Sequence, residues 1–378
     1  MFNSIPRPEY SRRKVKRAGK ILANVISEKQ SSNPEVIEAF KVFRNWRLSH
    51  AYPLVLCRND LRKYLREADI SADIPTRIKR NETIRRKLTG ARPFSLDKIQ
   101  DLGGLRVVLP SMSEVDKITA IYLSRNTRYE IRRSKDYILN PKSDGYRSRH
   151  IVLRHPLGVG TNRDAHAGQT IELQIRTKLQ HVWATASEGL GFHLGVSFKH
   201  GEGDERWHRL FAHMSELFAI QDGLDGRNRH DIAKDIQKLN TDLDALKFLI
   251  KAKNSSLTLP EFSYDSWVVL NYEKDKEEPT SFKLFDNFGN AEKHLRAIEG
   301  GLWTTNAVLL GVSPYFALRD AYPNYFADMG TFTKILSEIV EGRRHSSNIQ
   351  TFNETAAGIA LADAVKDGVF RNLRRRRQ

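Results

Sequence analysis

Residues 135–150 read KDYILNPKSDGYRSRH, and this run holds much of the chain's candidate chemistry. A tight turn, NPKSDG, joins two extended stretches and carries Lys135, Lys142, Tyr146 and His150 on its rim. Lysines beside a flat aromatic and a glycine-permitted turn suit a phosphorylated ring. The tyrosine face stacks on a base and the ammonium groups neutralise phosphates. Taken singly, each of these residues is better explained by an ordinary charged hairpin.

A second run, IELQIRT at 171–177, alternates like a strand. Glu172, Gln174 and Arg176 fall on one face, and Ile171, Leu173 and Ile175 on the other. A carboxylate, an amide and a guanidinium in a row make a polar active-site wall, or a solvent-facing edge strand. In the helical pattern that follows, His181, Thr185 and Glu188 share a face at i, i+4 and i+7. Upstream, DLGGLRVVL at 101–109 sets Asp101 before an apolar strand, with two glycines that permit close approach. Asp101 alone says little. Paired with Glu172 across a sheet, it makes a two-carboxylate Mg²⁺ site of the kind phosphoryl transfer uses. In RIKRNETIRRKL at 77–88, Arg77, Lys79, Thr83 and Lys87 are expected around a helix start, where backbone N–H groups favour phosphate. An exposed basic helix is the competing reading.

These residues need elements to hold them. Apolar spacing predicts helices over 13–29 and 34–66, with Val36, Ala39, Phe40 and Phe43 at helical intervals. Further helices are expected at 82–90, 96–102 (with Ser95 as cap), 113–125, 178–190, 205–222 and 229–250. Short strands are expected at 105–109, 129–132, 150–153 and 171–175. Strands and helices in this order give an α/β (α+β) class with a mixed sheet. KNSSLTLPEFS at 253–263 reads as a linker. Beyond it come a hairpin (267–272 and 281–285), a helix (291–298), a strand (307–312) and a final helix near 328–341. The expected organisation is therefore a domain over 1–255, a smaller α/β domain over 264–342 and a basic tail over 343–378.

The chain has 378 residues, enough for two domains, and is 40% apolar and 28% charged, which permits a buried core. No apolar run approaches the roughly 20 residues of a membrane helix, and no signal-peptide core follows the basic N-terminus. One cysteine, Cys57, excludes an internal disulfide and a cysteine-based zinc cage. A cytoplasmic protein without membrane partners is expected. The net charge is +17, with 23 Lys/Arg against 10 Asp/Glu in residues 1–100 and four arginines at 374–377. Such an excess suits polyanionic partners, or is merely a solvated basic face. His193, His200, His208 and His213 lack metal-ligand spacing, and His230-Asp231 reads as a helix start.

Together the four runs resemble the synthetase domain of the RelA/SpoT family, the (p)ppGpp alarmone synthetases. The matching order is R-x-K-x-x-x-[ST]-I-x-x-K from Arg77, D-L-x-G-x-R from Asp101, and K-D-Y-I-x-x-P-K-x-x-G-Y-x-S-x-H from Lys135. E-x-Q-I-R-T from Glu172 and H-x-W-A from His181 complete it. The resemblance covers about residues 40–220, with Trp46, Arg47, His50 and Pro53 similar to that family's leading helix. It implies a nucleotidyltransferase-like mixed sheet flanked by helices. It also implies a pyrophosphokinase that moves the β,γ-diphosphate of ATP to the 3′-hydroxyl of GDP or GTP. Carried over residue by residue, Arg77, Lys79, Thr83, Lys87 and Arg106 would bind ATP. Asp101 and Glu172 would hold Mg²⁺, with Glu172 also the base. Tyr146 would stack on the acceptor guanine. Lys135, Lys142, His150, Gln174, Arg176 and His181 would complete the acceptor site. No G-x-x-x-x-G-K-[ST] loop occurs, so a P-loop route is excluded.

Two positions depart from the family pattern. Asp144 precedes Gly145 where many members have Asn, and W-A-T at 183–185 replaces W-A-E, with Glu188 one turn later offering a carboxylate. Both bear on the acceptor more than on the chemistry. The stretch before Arg77 is too short for the hydrolase domain of long members, so no alarmone hydrolysis is expected. Tyr322 and Tyr325 fit core packing, and also resemble the Y-x-x-Y element of fused toxin–antitoxin members, whose C-terminal domain occludes the site until a phage protein releases it. Three functions stay open: an alarmone synthetase; a self-inhibited toxin of the same fold that pyrophosphorylates the tRNA 3′ end; and an inactive nucleotide-sensing module. Homo-oligomerisation also stays open.

Overall fold

The computed structural model describes residues 5–25, 30, 32–72, 74–124, 127–156, 165–196, 198, 201–253, 266–272, 281–299, 306–312 and 329–342. Tyr322, Tyr325, the expected linker and the basic tail lie outside the described residues.

Eight strands form one mixed sheet in the order β3-β4-β5-β2-β1-β8-β6-β7. They are β1 (Thr76–Ile78), β2 (Gly103–Leu109), β3 (Glu130–Asp136), β4 (Arg149–Arg154), β5 (Thr170–Thr177), β6 (Ser266–Tyr272), β7 (Ser281–Phe285) and β8 (Asn306–Val312). β2 and β5 run parallel, and the other described neighbours are antiparallel. The segment beyond the expected boundary thus adds β8, β6 and β7 to the sheet that holds the candidate residues. The three-residue β1, too short to stand out by periodicity, is clasped between β2 and β8.

Alternation decides the faces. In β2, Leu105, Val107 and Leu109 point to one side, joined there by Leu173 and Ile175 of β5 and Ile151 and Leu153 of β4. Trp267, Val269 and Leu309 from the later strands continue the same apolar layer. Helices α3 (Ala51–Glu67), α5 (Met112–Leu123) and α10 (Phe288–Glu299) cover it. The other face of β2, β4 and β5 keeps the polar side chains.

A second core lies among α6 (Lys178–Leu194), α7 (Glu205–Gln221), α8 (Arg229–Leu243), α9 (Ala245–Lys253) and α11 (Gly330–Val340). A third joins α1 (Arg12–Ala23), α2 (Pro34–Ser49) and α4 (Asn81–Thr89). The helix expected over 34–66 is two helices broken at His50, because Pro53 has no N–H to donate and crowds the carbonyl one turn back. Likewise 229–250 divides at Asp244, which takes the left-handed conformation at φ 50°. The stretch expected as a helix at 96–102 is a single 3₁₀ turn, Leu96–Lys98. No described helix is long and apolar enough to cross a membrane.

Candidate active site

Register brings the predicted residues into two rows on the polar face. Arg77, Gly104, Glu172 and Val152 stand in line across β1, β2, β5 and β4. Arg106, Gln174, His150 and Lys135 form the next row across β2, β5, β4 and β3. Asp101, Arg77, Gly104, Arg106, Glu172 and Gln174 line one cleft. Gly104 keeps its floor open between Arg77 and Glu172.

Asp101, just before β2, is held by two lysines. Lys79 Nζ donates to its Oδ2 at 2.8 Å, and Lys87 Nζ lies 2.9 Å from both oxygens. Burial works to raise the Asp101 carboxyl, but the two ammonium groups outweigh it and hold the pKa well below the usual carboxylate range. Burial pulls Lys79 down to about 8, against the opposing pull of Asp101. Only part of the expected cradle lies at a helix start, where Lys79 precedes the cap of α4 and Thr83 sits in its first turn. Arg77 sits on β1, Lys79 follows that strand, and Lys87 occupies the last turn of α4. Their convergence comes from the strand-to-helix turn and not from helix N–H groups. Thr83 is half-buried on α4 and does not line the cleft.

Glu172 accepts from Gln174 Nε2 at 2.9 Å, and its Oε1 lies 3.0 Å from His150 Nδ1. Burial and Asp101 work to raise its pKa; His150 and Gln174 prevail and bring it to about 2. Both carboxylates are therefore ionised and close enough to feel each other. His150 continues to Tyr146, whose hydroxyl lies 2.8 Å from Nε2. The Tyr146 ring packs edge-on against Trp183, at 6.2 Å between centroids, and Lys142 Nζ stands over it at 4.8 Å.

The turn carrying Tyr146 needs Gly145. Its φ is +94°, and a Cβ there would meet Ser215 Cβ at 2.8 Å and Ala212 Cα at 3.0 Å. Helix α7 locks this turn in place, with Ser215 Oγ donating to the Gly145 carbonyl. Trp183 Nε1 donates to Phe211 O at 2.7 Å, which fixes α6 to the same helix.

Arg176 is buried and contacts His181 Nδ1 through its Nη2. Burial, then Arg106, depress it to about 9, while Tyr146 and Glu188 oppose them and Arg77 adds to the depression. Three guanidinium groups thus share one field, an arrangement that favours an anion. Glu188 acts on Arg176, whereas Thr185 turns its hydroxyl back to the His181 carbonyl at 2.9 Å. Lys135 lies on the edge strand β3.

Sequence reasoning missed Tyr137. Lys135 and Lys142 stand over its ring at 5.6 and 5.4 Å, and the ring meets His150 edge-on at 5.2 Å. Its place between Lys135 and Lys142 was the available signal. The Arg47–Glu299 ion pair was missed as well, since no local pattern joins residues so far apart.

Two ionised carboxylates in one cleft fit a hard divalent cation, which takes oxygen ligands and few of them from protein when phosphates supply the rest. Among the described residues no group of three or more His, Cys, Asp or Glu is placed to hold a metal by itself. A larger cavity of about 320 Å³ between residues 6–10, α2 and α10 contains none of the predicted residues.

Residues 76–200 match the family described as "Region found in RelA / SpoT proteins". Among curated relatives, the GTP pyrophosphokinase YjbM of Bacillus subtilis is 27% identical over 128 residues, which is 32% of this chain and 59% of that protein. The GTP pyrophosphokinase YwaC of the same organism is 31% identical over 98 residues, 26% of this chain and 45% of that protein. The chain thus spans about half the length of these two relatives. Among solved structures, small alarmone synthetase 2 of Bacillus subtilis aligns at 24% identity and TM-score 0.40, covering 47% of this chain and 93% of that one. Small alarmone synthetase 1 bound to its product pppGpp aligns at 22% and 0.36, covering 44% and 84%.

Proposed function

We propose that the chain, whose residues 76–200 match the region found in RelA / SpoT proteins, is an ATP-dependent pyrophosphokinase. It would transfer the β,γ-diphosphate of ATP to the 3′-hydroxyl of GDP or GTP. The observation that carries this reading is one cleft holding two ionised carboxylates, Asp101 and Glu172, with Arg77 and Arg106.

The cleft encloses only about 20 Å³ and opens to solvent, so a bound nucleotide would extend beyond it. Lys79 and Lys87, held beside the cleft by Asp101, would turn to the triphosphate, whose oxygens can replace Asp101 as their partner. That exchange frees the Asp101 oxygens, and Asp101 with Glu172 would then hold Mg²⁺. When bound, the ion supplies charge neutralisation on the phosphates. Arg77 and Arg106 add positive charge on the same side.

In the reaction, the 3′-oxygen forms a bond to Pβ and the Pβ–O bond to the α-phosphate breaks, releasing AMP. The hydroxyl proton leaves the 3′-oxygen toward Glu172 and is taken up by solvent. With a pKa of about 2, Glu172 is a weak base, so its main work is to accept a hydrogen bond and orient the hydroxyl. That suffices for diphosphate transfer, which rests on in-line positioning and charge neutralisation more than on proton abstraction. Tyr146, Lys142, His150 and Gln174 stand on the acceptor side of Glu172 and would bind the guanine nucleotide.

The test is to incubate the full chain with γ-labelled ATP and Mg²⁺, with GDP, GTP or tRNA as acceptor, and to separate the products. Labelled ppGpp or pppGpp together with AMP supports the reading. Label carried only on tRNA, or no transfer to any acceptor, overturns it.

A further inference from the structure

Arg47 is a fully buried arginine, at 0% exposure, on a helix outside the matched region. Its Nη1 donates to Glu299 Oε1 at 2.6 Å, and its Nε donates to the Lys79 carbonyl at 2.8 Å. Glu299 ends α10 and is itself 2% exposed. The Lys79 N–H donates in turn to Leu102 O at 2.8 Å, next to Asp101. The Lys79 backbone is therefore gripped from both sides, and its ammonium meets Asp101.

As a simple stabiliser this ion pair is a poor device. Burying two charges is costly, and well-packed apolar residues usually serve as well or better. Among the described residues Arg47 Nη2 even lacks a hydrogen-bond partner. What apolar residues cannot do is reach two acceptors on separate elements in fixed directions, which is the strength of a planar guanidinium. The later segment also grips the other end of the same stretch. β8 pairs with Thr76 and Arg77, and Thr76 Oγ1 donates to Gly311 O at 3.2 Å. A Cβ at Gly311 would lie 2.6 Å from that hydroxyl oxygen, so the contact depends on glycine.

We propose that Glu299, acting through Arg47, is a positioning residue for Lys79, so that α10 and β8 form part of the phosphate-binding apparatus. This rests on the reading of the cleft as an ATP site. Without Glu299 the Arg47 guanidinium loses the partner that aims it, the Lys79 carbonyl loses its anchor, and the ammonium starts from the wrong place.

Two full-length forms test this: Glu299→Gln, which keeps an acceptor but no charge, and Arg47→Met with Glu299→Leu, which replaces the pair with apolar groups. Binding of a non-hydrolysable ATP analogue is measured by calorimetry, beside KM for ATP and for acceptor. The double variant is expected to fold with a Tm near wild type. Its analogue affinity should fall at least ~10-fold, since a displacement of about 1 Å costs up to ~100-fold. KM for acceptor should change little. Amide exchange should speed up at Lys79 while α2 and α10 stay protected. A folded double variant with wild-type analogue affinity overturns the proposal. So does unfolding of both forms, which would make the pair a stability element. Absence of transfer by the wild-type chain would instead defeat the functional reading, while analogue binding still reports on the positioning.

Discussion

The Tyr146 hydroxyl lies 2.8 Å from His150 Nε2, and the opposite ring nitrogen of that histidine faces Glu172 at 3.0 Å. Tyrosine in the G-Y-x-S-x-H run is therefore more than a stacking surface. A ring that only stacked would tolerate Phe at this position. The structure gives the hydroxyl a task, which is to fix the His150 ring that orients Glu172. Tyr146→Phe should lower kcat about 5-fold, the worth of one hydrogen bond near 1 kcal/mol. Tyr146→Ala should in addition raise acceptor KM, because a base stack is worth about 1–3 kcal/mol. Steady-state kinetics with varied acceptor separates the two effects. A Phe variant with wild-type kcat would remove the hydroxyl from the mechanism.

Asp101→Asn and Glu172→Gln should each abolish diphosphate transfer in a folded protein. Either change removes several kcal/mol of charge stabilisation from the transition state. Asp101→Asn has a second consequence, since Asp101 is the main group opposing the downward pull of burial on Lys79. In the wild type, kcat/KM for ATP should fall as pH rises through about 8, where Lys79 loses its proton. In the Asn variant, nuclear magnetic resonance of the lysine should show that titration at lower pH. Turnover near wild type in either variant would rule out the carboxylate assignment.

Asp222 offers a pH test of stability away from the cleft. It accepts from Thr177 Oγ1 at 2.7 Å and Gln180 Nε2 at 3.3 Å, tying the end of β5 and the start of α6 to the end of α7. Burial raises its carboxyl to about 6. The folded state thus holds a proton that the unfolded chain releases at lower pH, so stability falls as pH rises from about 4 through about 6 and is level above. Asp222→Asn keeps an acceptor without the charge. It should gain about 1–2 kcal/mol at pH 7, after allowance for screening of a half-buried group, and nothing near pH 4. Thermal melts of both proteins across that range would show it. A variant less stable at pH 7 would mean that Arg147 already compensates the charge.

Legibility in the sequence followed the range of the interactions. Alternation in IELQIRT assigned Glu172, Gln174 and Arg176 to one face, because side-chain direction on a strand is local. The parallel pairing that brings Gly104 beside Glu172 is not local, and the sequence suggested only that Asp101 and Glu172 could meet across a sheet. β1 escaped notice because three residues carry no period, and its strand state comes from β2 and β8 on either side. Arg47 looked like part of a leading helix. Only the folded chain shows that its guanidinium joins Glu299 to Lys79. The engagement of Asp101 by two lysines was equally hidden, since each residue was assigned separately to metal or phosphate.

A chain ending at Lys253 separates two roles for the later segment. If the later segment were a detachable lid, with Tyr322 and Tyr325 as its plug, truncation should raise activity, because a tethered lid closes its site even at modest affinity. The described residues argue for the opposite result. Truncation strips β8 from β1, leaving Thr76–Ile78 as a bare three-residue edge, and removes the apolar side chains of Trp267, Val269 and Leu309 from the shared core. It also leaves Arg47 buried without Glu299. Orphaning a buried charge of this kind typically costs about 3–5 kcal/mol, a large share of the roughly 5–15 kcal/mol that holds a whole domain together. The truncated chain should therefore be poorly soluble and inactive, whereas full-length Tyr322→Ala with Tyr325→Ala should stay folded. Solubility, circular dichroism and initial rate of the two forms decide the matter. A soluble 1–253 chain more active than full length would make the later strands a lid and Arg47–Glu299 its latch.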